Sequence, residues 1–147
     1  MPRSPDEKEN VGVSHGRWGE EVAVAELRVE GFEIVERNVH PCKDDRRIEL
    51  DVIAYDPRRD LLVFVEVKQH KARSARQRRL RSLDRRKLML VRRGCRAWLL
   101  RHHWQGAYRF DVIEVYGTPE SGRPAEVDHV EHVRLFKSRE QFVDWEN

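Results

Sequence analysis

The amino-acid sequence predicts an α/β fold with a central mixed β-sheet of four to five strands flanked by helices. Apolar residues recur at helical spacing over residues 17–30, whereas residues 47–55 and 61–69 form two strand-like runs. A second helical pattern follows these runs and precedes further strand-like runs, which allows a parallel neighbour in the sheet. The predicted order of elements is α-β-β-β-α-β-β.

The elements of the first half follow from local patterns. Residues 17–30 are expected to form an amphipathic helix that ends before Gly31, because glycine is common just past the last turn of a helix. Residues 32–39 are predicted as the first strand. The two runs named above are predicted to pair as a hairpin across the turn at residues 56–60.

The second half is predicted to continue with one helix and two strands. Ser82 is expected to cap a helix that runs to about Arg93 and stops at Gly94. Residues 97–100 and 108–116 then read as two further strands. A loop rich in proline and glycine follows them.

The length of the chain suits a single domain. A chain of 147 residues can bury roughly 70% of its unfolded surface, which is enough for one core. Residues 14–116 are predicted as that core and residues 1–13 as a disordered amino terminus. Residues 117–147 are predicted as a C-terminal extension that packs on the core.

The composition indicates a cytoplasmic protein that does not enter a membrane. No apolar run approaches the roughly 18 residues of a membrane span, and the amino terminus lacks the apolar segment of a signal peptide. Cys42 and Cys95 are far apart and form no CxxC pattern, so both are expected to be free thiols in a reducing compartment.

Three of the charged residues in the predicted hairpin are expected to lie close together. In a strand, side chains two positions apart share a face, so Glu66 and Lys68 point the same way, and pairing brings Asp51 within about one residue of facing Glu66. Two carboxylates in an apolar sheet are costly to bury without a cation, and Mg²⁺ binds carboxylates together with substrate phosphates. The pattern indicates metal-dependent phosphodiester cleavage. The alternative is an ion pair on the protein surface, and spacing alone leaves both open.

A basic segment begins directly after the hairpin. Residues 71–93 contain eleven lysines and arginines and one acid, which gives +10, whereas the whole chain carries +3. Such a segment attracts phosphates without regard to base sequence. The alternative is a solvated helix face or a basic loop. The candidate nucleic-acid-binding residues are Lys71, Arg73, Arg76, Arg78, Arg79, Arg85, Arg86 and Lys87.

Other polar residues have two interpretations or a structural one. Glu20 lies in line with an apolar stripe of the first helix, or it simply favours the positive helix N-terminus. His129 and His132 are three residues apart, a spacing that can bind a metal on a helix, but no third ligand is evident. Arg109 and Asp111 share a strand face and are expected to form a structural pair.

Four motifs in order resemble a known family. These are GRWGEEVAVAEL (residues 16–27), IELDVI (48–53), VFVEVK (63–68) and RFDVI (109–113). The chain resembles the PD-(D/E)XK nuclease superfamily and, within it, the YraN-like endonuclease-related family. The resemblance implies a restriction-endonuclease-like core.

The resemblance also implies roles for individual residues. Asp51 and Glu66 would be metal ligands, Lys68 would orient or activate the attacking water, and Glu20 would be an auxiliary acidic group. The chain departs from the family pattern at two positions: it has Ile48 where the family usually has glycine, and His70 where the family often has arginine.

The expected function is that of a metal-dependent nuclease acting on DNA, including branched or damaged DNA. Asp51, Glu66 and the backbone carbonyl of Val67 are expected to hold Mg²⁺, for which Mn²⁺ could substitute. Nucleic acid, with DNA favoured over RNA, is the expected partner, and a homodimer is compatible with the sequence. The alternatives are a non-catalytic nucleic-acid-binding module of the same fold and a protein-interaction domain for an acidic partner.

Overall fold

The computed structural model describes residues 5–72 and 85–136, with side chains from Gly16 onward. It contains one five-stranded sheet in the order β1-β2-β3-β4-β5, in which β3 and β4 are parallel and all other pairs are antiparallel. The predicted α/β class and the predicted order of elements are confirmed. The elements are α1 (Pro5–Val29), β1 (Glu33–Val39), β2 (Leu50–Asp56), β3 (Leu61–His70), α2 (Arg85–Arg101), β4 (Ala107–Tyr116) and β5 (Glu126–Val130).

The predicted hairpin is formed by β2 and β3. Val52 is paired with Val65, and Asp56 with Leu61 at the turn. The turn is held by the buried Asp56 carboxylate, which accepts a hydrogen bond of 3.0 Å from the Arg58 backbone N–H. Aspartate commonly stabilises turns by such a bond two residues along the chain.

The sheet has a helix on each face, so the core consists of two layers. Alternate side chains of β3 point to opposite faces, as expected for a strand. The layer under α1 contains Ala23, Val24, Leu27, Val52, Ala54, Val63 and Val65. The layer under α2 contains Leu50, Ile53, Leu62, Phe64, Val91, Cys95, Trp98 and Leu99.

The second helix is longer than the sequence suggested. It continues through Gly94 to Arg101, so the predicted stop at Gly94 and the predicted strand at residues 97–100 are wrong. A Cβ atom at Gly94 would lie 2.7 Å from Cγ2 of Ile48 and 3.2 Å from Cδ2 of Leu50. The glycine therefore allows α2 to pack close to the sheet and does not mark the end of the helix.

Two further boundaries differ from the prediction. The fifth strand is β5, which pairs with β4 and lies after the predicted loop. The first helix begins at Pro5, before residue 17. The disorder predicted for residues 1–13 stays a prediction. The division into a core and a C-terminal extension stays a prediction, and the expected cap at Ser82 lies outside the described residues.

A buried ion network joins β4, β5 and the end of α1. Asp111 is fully buried and accepts hydrogen bonds from Arg109 Nε (2.9 Å) and from the His132 backbone N–H (2.9 Å). The His129 ring lies between two carboxylates, with Nε2 2.7 Å from Asp111 Oδ2 and Nδ1 2.7 Å from Glu30 Oε2. The expected pairing of Arg109 with Asp111 is present, and the histidine ties it to α1.

The network predicts a pH-dependent stability. Burial disfavours the charged imidazole, but the hydrogen bonds to Asp111 and Glu30 outweigh burial and raise the pKa of His129 above its ordinary 6.5. The charged ring therefore stabilises the fold fully below about pH 6.5, and this contribution is lost as pH rises through the higher folded-state value. We expect the free energy of unfolding, measured by urea denaturation from about pH 6 to about pH 9, to fall over this window.

A histidine variant isolates this contribution. In His129→Gln the decline above about pH 6.5 should be smaller than in the wild type. The exposed His40 provides the matched control, because His40→Gln removes a histidine without touching the network. An unchanged pH profile in His129→Gln would contradict the assignment.

Candidate active site

The β2–β3 register places the two predicted carboxylates opposite one another. Val52 pairs with Val65, so extending the register by one position sets Asp51 across from Glu66. The neighbouring Phe64 points toward α2, where its ring contacts Trp98 edge to face at 5.9 Å. Asp51, Glu66 and Lys68 therefore gather on the α2 face of the sheet.

The three side chains are held close together. The Val67 backbone N–H donates a hydrogen bond of 2.8 Å to Asp51 Oδ2, and Lys68 Nζ lies 3.7 Å from Glu66 Oε1. The Glu66 side chain is only 7% exposed and that of Lys68 only 16%. The Val67 amide thus fixes the orientation of Asp51 beside a nearly buried glutamate.

Without a bound metal ion, burial and the neighbouring carboxylate disfavour the ionised form of Asp51. Burial and the charge of Glu66 raise the pKa of Asp51 to about 8, although the Val67 N–H favours the ionised form. Burial and the neighbouring Lys87 ammonium lower the pKa of Lys68. A carboxyl group with a raised pKa that faces a second carboxylate offers the kind of oxygen donors that a hard divalent cation would ionise and bind.

A second lysine reaches the pair from the first turn of α2. Lys87 Nζ lies 2.9 Å from Glu66 Oε1, closer than Lys68 Nζ at 3.7 Å. The sequence interpretation counted Lys87 only among phosphate-binding residues. The signal that could have found it is topological: a crossover helix between parallel strands begins near the carboxyl end of the first strand, where Glu66 and Lys68 lie.

A cavity of about 160 Å³ opens beside these residues. At about 30 Å³ per water molecule, it has room for roughly five waters, or for a cation with part of a phosphate. Carboxylates and cations make up much of its wall, and the remainder is apolar. It is lined by Arg47, Ile48, Glu49, Asp51, Glu66, Lys87, Leu90 and Val91.

The structure does not bring Glu20 to this cluster. Arg37 Nε lies 3.4 Å from Glu20 Oε1, and Arg37 Nη2 lies 2.8 Å from Glu21 Oε1. Arg37 is paired with Val52, whose side chain packs under α1. Glu20 therefore lies on the opposite face of the sheet from Glu66, and its auxiliary role stays a prediction.

The relationship to known proteins agrees with this geometry. The model of "Uncharacterised protein family UPF0102" matches residues 19–115 of the chain. The chain belongs to this family. UPF0102, the YraN family, is in the PD-(D/E)XK nuclease-like superfamily, so the resemblance seen in the sequence is confirmed.

Several UPF0102 proteins align with most of the chain. The protein from Pelobacter propionicus is 35% identical over 116 residues, which cover 78% of each chain. The protein from Prosthecochloris aestuarii is 37% identical over 120 residues, or 80% of this chain and 88% of the relative. The protein from Beutenbergia cavernae is 38% identical over 120 residues, or 81% and 92%. The region matched to UPF0102 contains Asp51, Glu66, Lys68 and Lys87.

The structure of this UPF0102 protein describes only some of the predicted basic residues. Lys71 is exposed at the end of β3 and lines a cavity of about 300 Å³ together with Arg123 and Tyr116. Arg85 and Arg86 are exposed in the first turn of α2, next to Lys87. The remaining candidates, Arg73, Arg76, Arg78 and Arg79, lie outside the described residues.

A further polar residue, Glu114, lies next to the site on the neighbouring strand β4. Glu114 pairs in register with Lys68 and is fully buried. It accepts a hydrogen bond of 3.0 Å from the Tyr116 hydroxyl, and its Oε1 lies 3.6 Å from His70 Nε2. The sequence reasoning missed Glu114 because it sits within an apolar strand, and only the parallel β3–β4 register sets it beside Lys68.

A second cluster of ligand-type side chains belongs to the ion network. One atom each of Glu30, His129 and Glu131 lies within 4.8 Å of the others. Both ring nitrogens of His129 already contact carboxylates, and Arg109 Nη2 lies 3.6 Å from Glu131 Oε1. His129 and Arg109 thus act as the basic partners of the carboxylates, and these contacts explain the cluster as an ion network.

Neither helix in the described part of the chain combines the length and the apolarity that crossing a membrane requires.

Proposed function

We propose that this UPF0102 protein is a metal-dependent nuclease that hydrolyses phosphodiester bonds in DNA. The observation that carries the proposal is the facing pair of nearly buried carboxylates, Asp51 and Glu66, with the Lys68 ammonium 3.7 Å from Glu66. Two carboxylates and a lysine on adjacent strands are the groups that hold a divalent cation and place a water for attack on a phosphate.

The donor set fits Mg²⁺ or Mn²⁺. Asp51 and Glu66 supply carboxylate oxygens, which these hard cations prefer. The Val67 N–H points to Asp51, and because the amide and carbonyl of one strand residue lie on the same side, the Val67 carbonyl is directed toward the same end of β2. When bound, the cation would neutralise the scissile phosphate and lower the pKa of the attacking water.

The side chains of the chain itself have distinct tasks in this proposal. The Val67 N–H holds the Asp51 carboxylate in its orientation. Lys68, nearly buried and close to Glu66, orients the attacking water and stabilises the negative charge that develops on the phosphate. Glu114 lies beside Lys68 in the register of β3 and β4.

The substrate class follows from the charge around the cavity. Arg85 and Arg86 are exposed in the turn that carries Lys87, and Lys71 is exposed at the end of β3. Basic side chains in such positions bind backbone phosphates and contribute little sequence discrimination. Of the nucleic acids we propose DNA, including branched or damaged forms, and a cytoplasmic location in keeping with two free cysteines.

The test is a cleavage assay with purified protein. Labelled linear, flapped and four-way DNA, with matching RNA, are incubated with Mg²⁺, with Mn²⁺ or with EDTA. We expect products only in the presence of a divalent cation, because the carboxylate pair alone cannot neutralise the phosphate. Salt-sensitive binding without any product would instead indicate a non-catalytic nucleic-acid-binding module, and no binding at moderate salt would indicate a protein-interaction domain.

A further inference from the structure

Lys87 lies beside Glu66, at a position where a metal ion bound by the carboxylate pair would be expected. Its Nζ lies 2.9 Å from Glu66 Oε1, and its side chain lines the cavity on which Asp51 and Glu66 also open. Lys68 is 0.8 Å farther from the same oxygen, at 3.7 Å. Among the described residues, the shortest ion pair of Glu66 is therefore made by a lysine of the helix and not by one of the strand.

The carboxylate pair already has two basic neighbours. Lys68 Nζ and Lys87 Nζ lie 3.7 Å and 2.9 Å from the same oxygen of Glu66. A divalent cation at Glu66 would place two further positive charges in contact with an ammonium group that is 2.9 Å from the same oxygen. Two cations that share one carboxylate oxygen repel each other strongly in a partly buried site.

The two lysines differ in their freedom to move. Lys68 extends from the middle of the sheet, and its side chain is 16% exposed. Lys87 extends from the first turn of a helix, and its side chain is 41% exposed. A lysine on a flexible four-carbon stem at the rim can turn away without disturbing the core.

We propose that Lys87 is an internal counter-ion of the Asp51–Glu66 pair, which a divalent cation displaces when it binds. The inference rests on the proposed nuclease function and deepens it, because it couples metal binding to substrate. Once displaced, the Lys87 ammonium lies at the mouth of the cavity, where it can bind a phosphate oxygen. The metal ion then binds Glu66 and the phosphodiester binds Lys87. The binding of each therefore favours the binding of the other.

Metal affinity tests the proposal without any cleavage. Mn²⁺ alone is titrated calorimetrically into the wild type, Lys87→Met and Arg86→Met. Removing the competing ammonium should tighten Mn²⁺ binding by about tenfold. The matched control, Arg86→Met, removes one positive charge from the exposed neighbouring position, so its affinity should stay within about twofold of the wild type because exposed charges are screened.

Thermal unfolding provides a second readout. In EDTA, Lys87→Met should melt at a lower temperature than the wild type, because Glu66 loses its closest cation. Saturating Mn²⁺ should raise the melting temperature of Lys87→Met more than that of the wild type. Lys87→Arg, which keeps the positive charge, should resemble the wild type in both conditions.

The outcomes separate this inference from the proposed function. Mn²⁺ binding of equal or lower affinity in Lys87→Met overturns the counter-ion assignment and leaves the metal-dependent nuclease intact. Absence of Mn²⁺ binding in both the wild type and Lys87→Met overturns the counter-ion assignment and also contradicts the metal-dependent function.

Discussion

Glu66→Gln and Lys68→Met are each expected to reduce Mg²⁺-dependent cleavage by about 10³-fold, a loss typical of removing one preorganised charged group from an active site. Glu66→Gln keeps the shape of the side chain but removes a charge that the facing Asp51 cannot replace. Lys68→Met removes the ammonium 3.7 Å from Glu66. Single-turnover cleavage of the best DNA substrate measures the effect.

DNA binding should survive both changes. The exposed positive charges of Arg85 and Arg86, which we propose bind phosphates, are untouched, so the affinity in EDTA and its salt dependence should resemble those of the wild type. The controls are Glu33→Gln and Lys43→Met, which remove one exposed charge of each sign outside the cluster. Undiminished cutting by both site variants would refute the assignment.

Asp111→Ala is expected to lower the free energy of unfolding by about 3–5 kcal/mol, the loss measured when one partner of a buried ion pair is removed. The fully buried carboxylate accepts bonds from Arg109, His129 and the His132 backbone, and all three donors lose an acceptor together. Urea denaturation near neutral pH measures the change.

A member of the same network provides the control. Glu131 lies 3.6 Å from Arg109, but its side chain is 50% exposed, so Glu131→Gln should change the unfolding free energy by less than about 1 kcal/mol. Similar losses in Asp111→Ala and Glu131→Gln would show that burial of Asp111 does not govern the network.

The hairpin of β2 and β3 could be predicted from local sequence because its signals are local. The turn at residues 56–60 and the alternation in the flanking runs are enough to set the β2–β3 hairpin and to bring Asp51 opposite Glu66. The strand at 126–130 gives no such signal, because it is an edge strand with only partly buried residues. Its pairing with β4 is a tertiary property.

Gly94 shows why the second helix was misjudged. Glycine ends many helices, and sequence alone does not distinguish that use from close packing against Ile48 on another element. The same limit applies to Lys87 and Glu20. Their neighbours depend on which face of the sheet each helix covers. Helical periodicity identifies the apolar side of a helix but not the face of the sheet against which that side packs.

The charged residues of the site come from different segments of the chain, and this affects the order in which they come together during folding. Asp51 and Glu66 belong to one hairpin with a short turn, whereas Lys87 arrives on a helix farther along the chain. Contacts between nearby segments generally form before those between distant ones. The two acids are therefore expected to meet early, and docking of α2 to relieve their repulsion should be a late step of assembly.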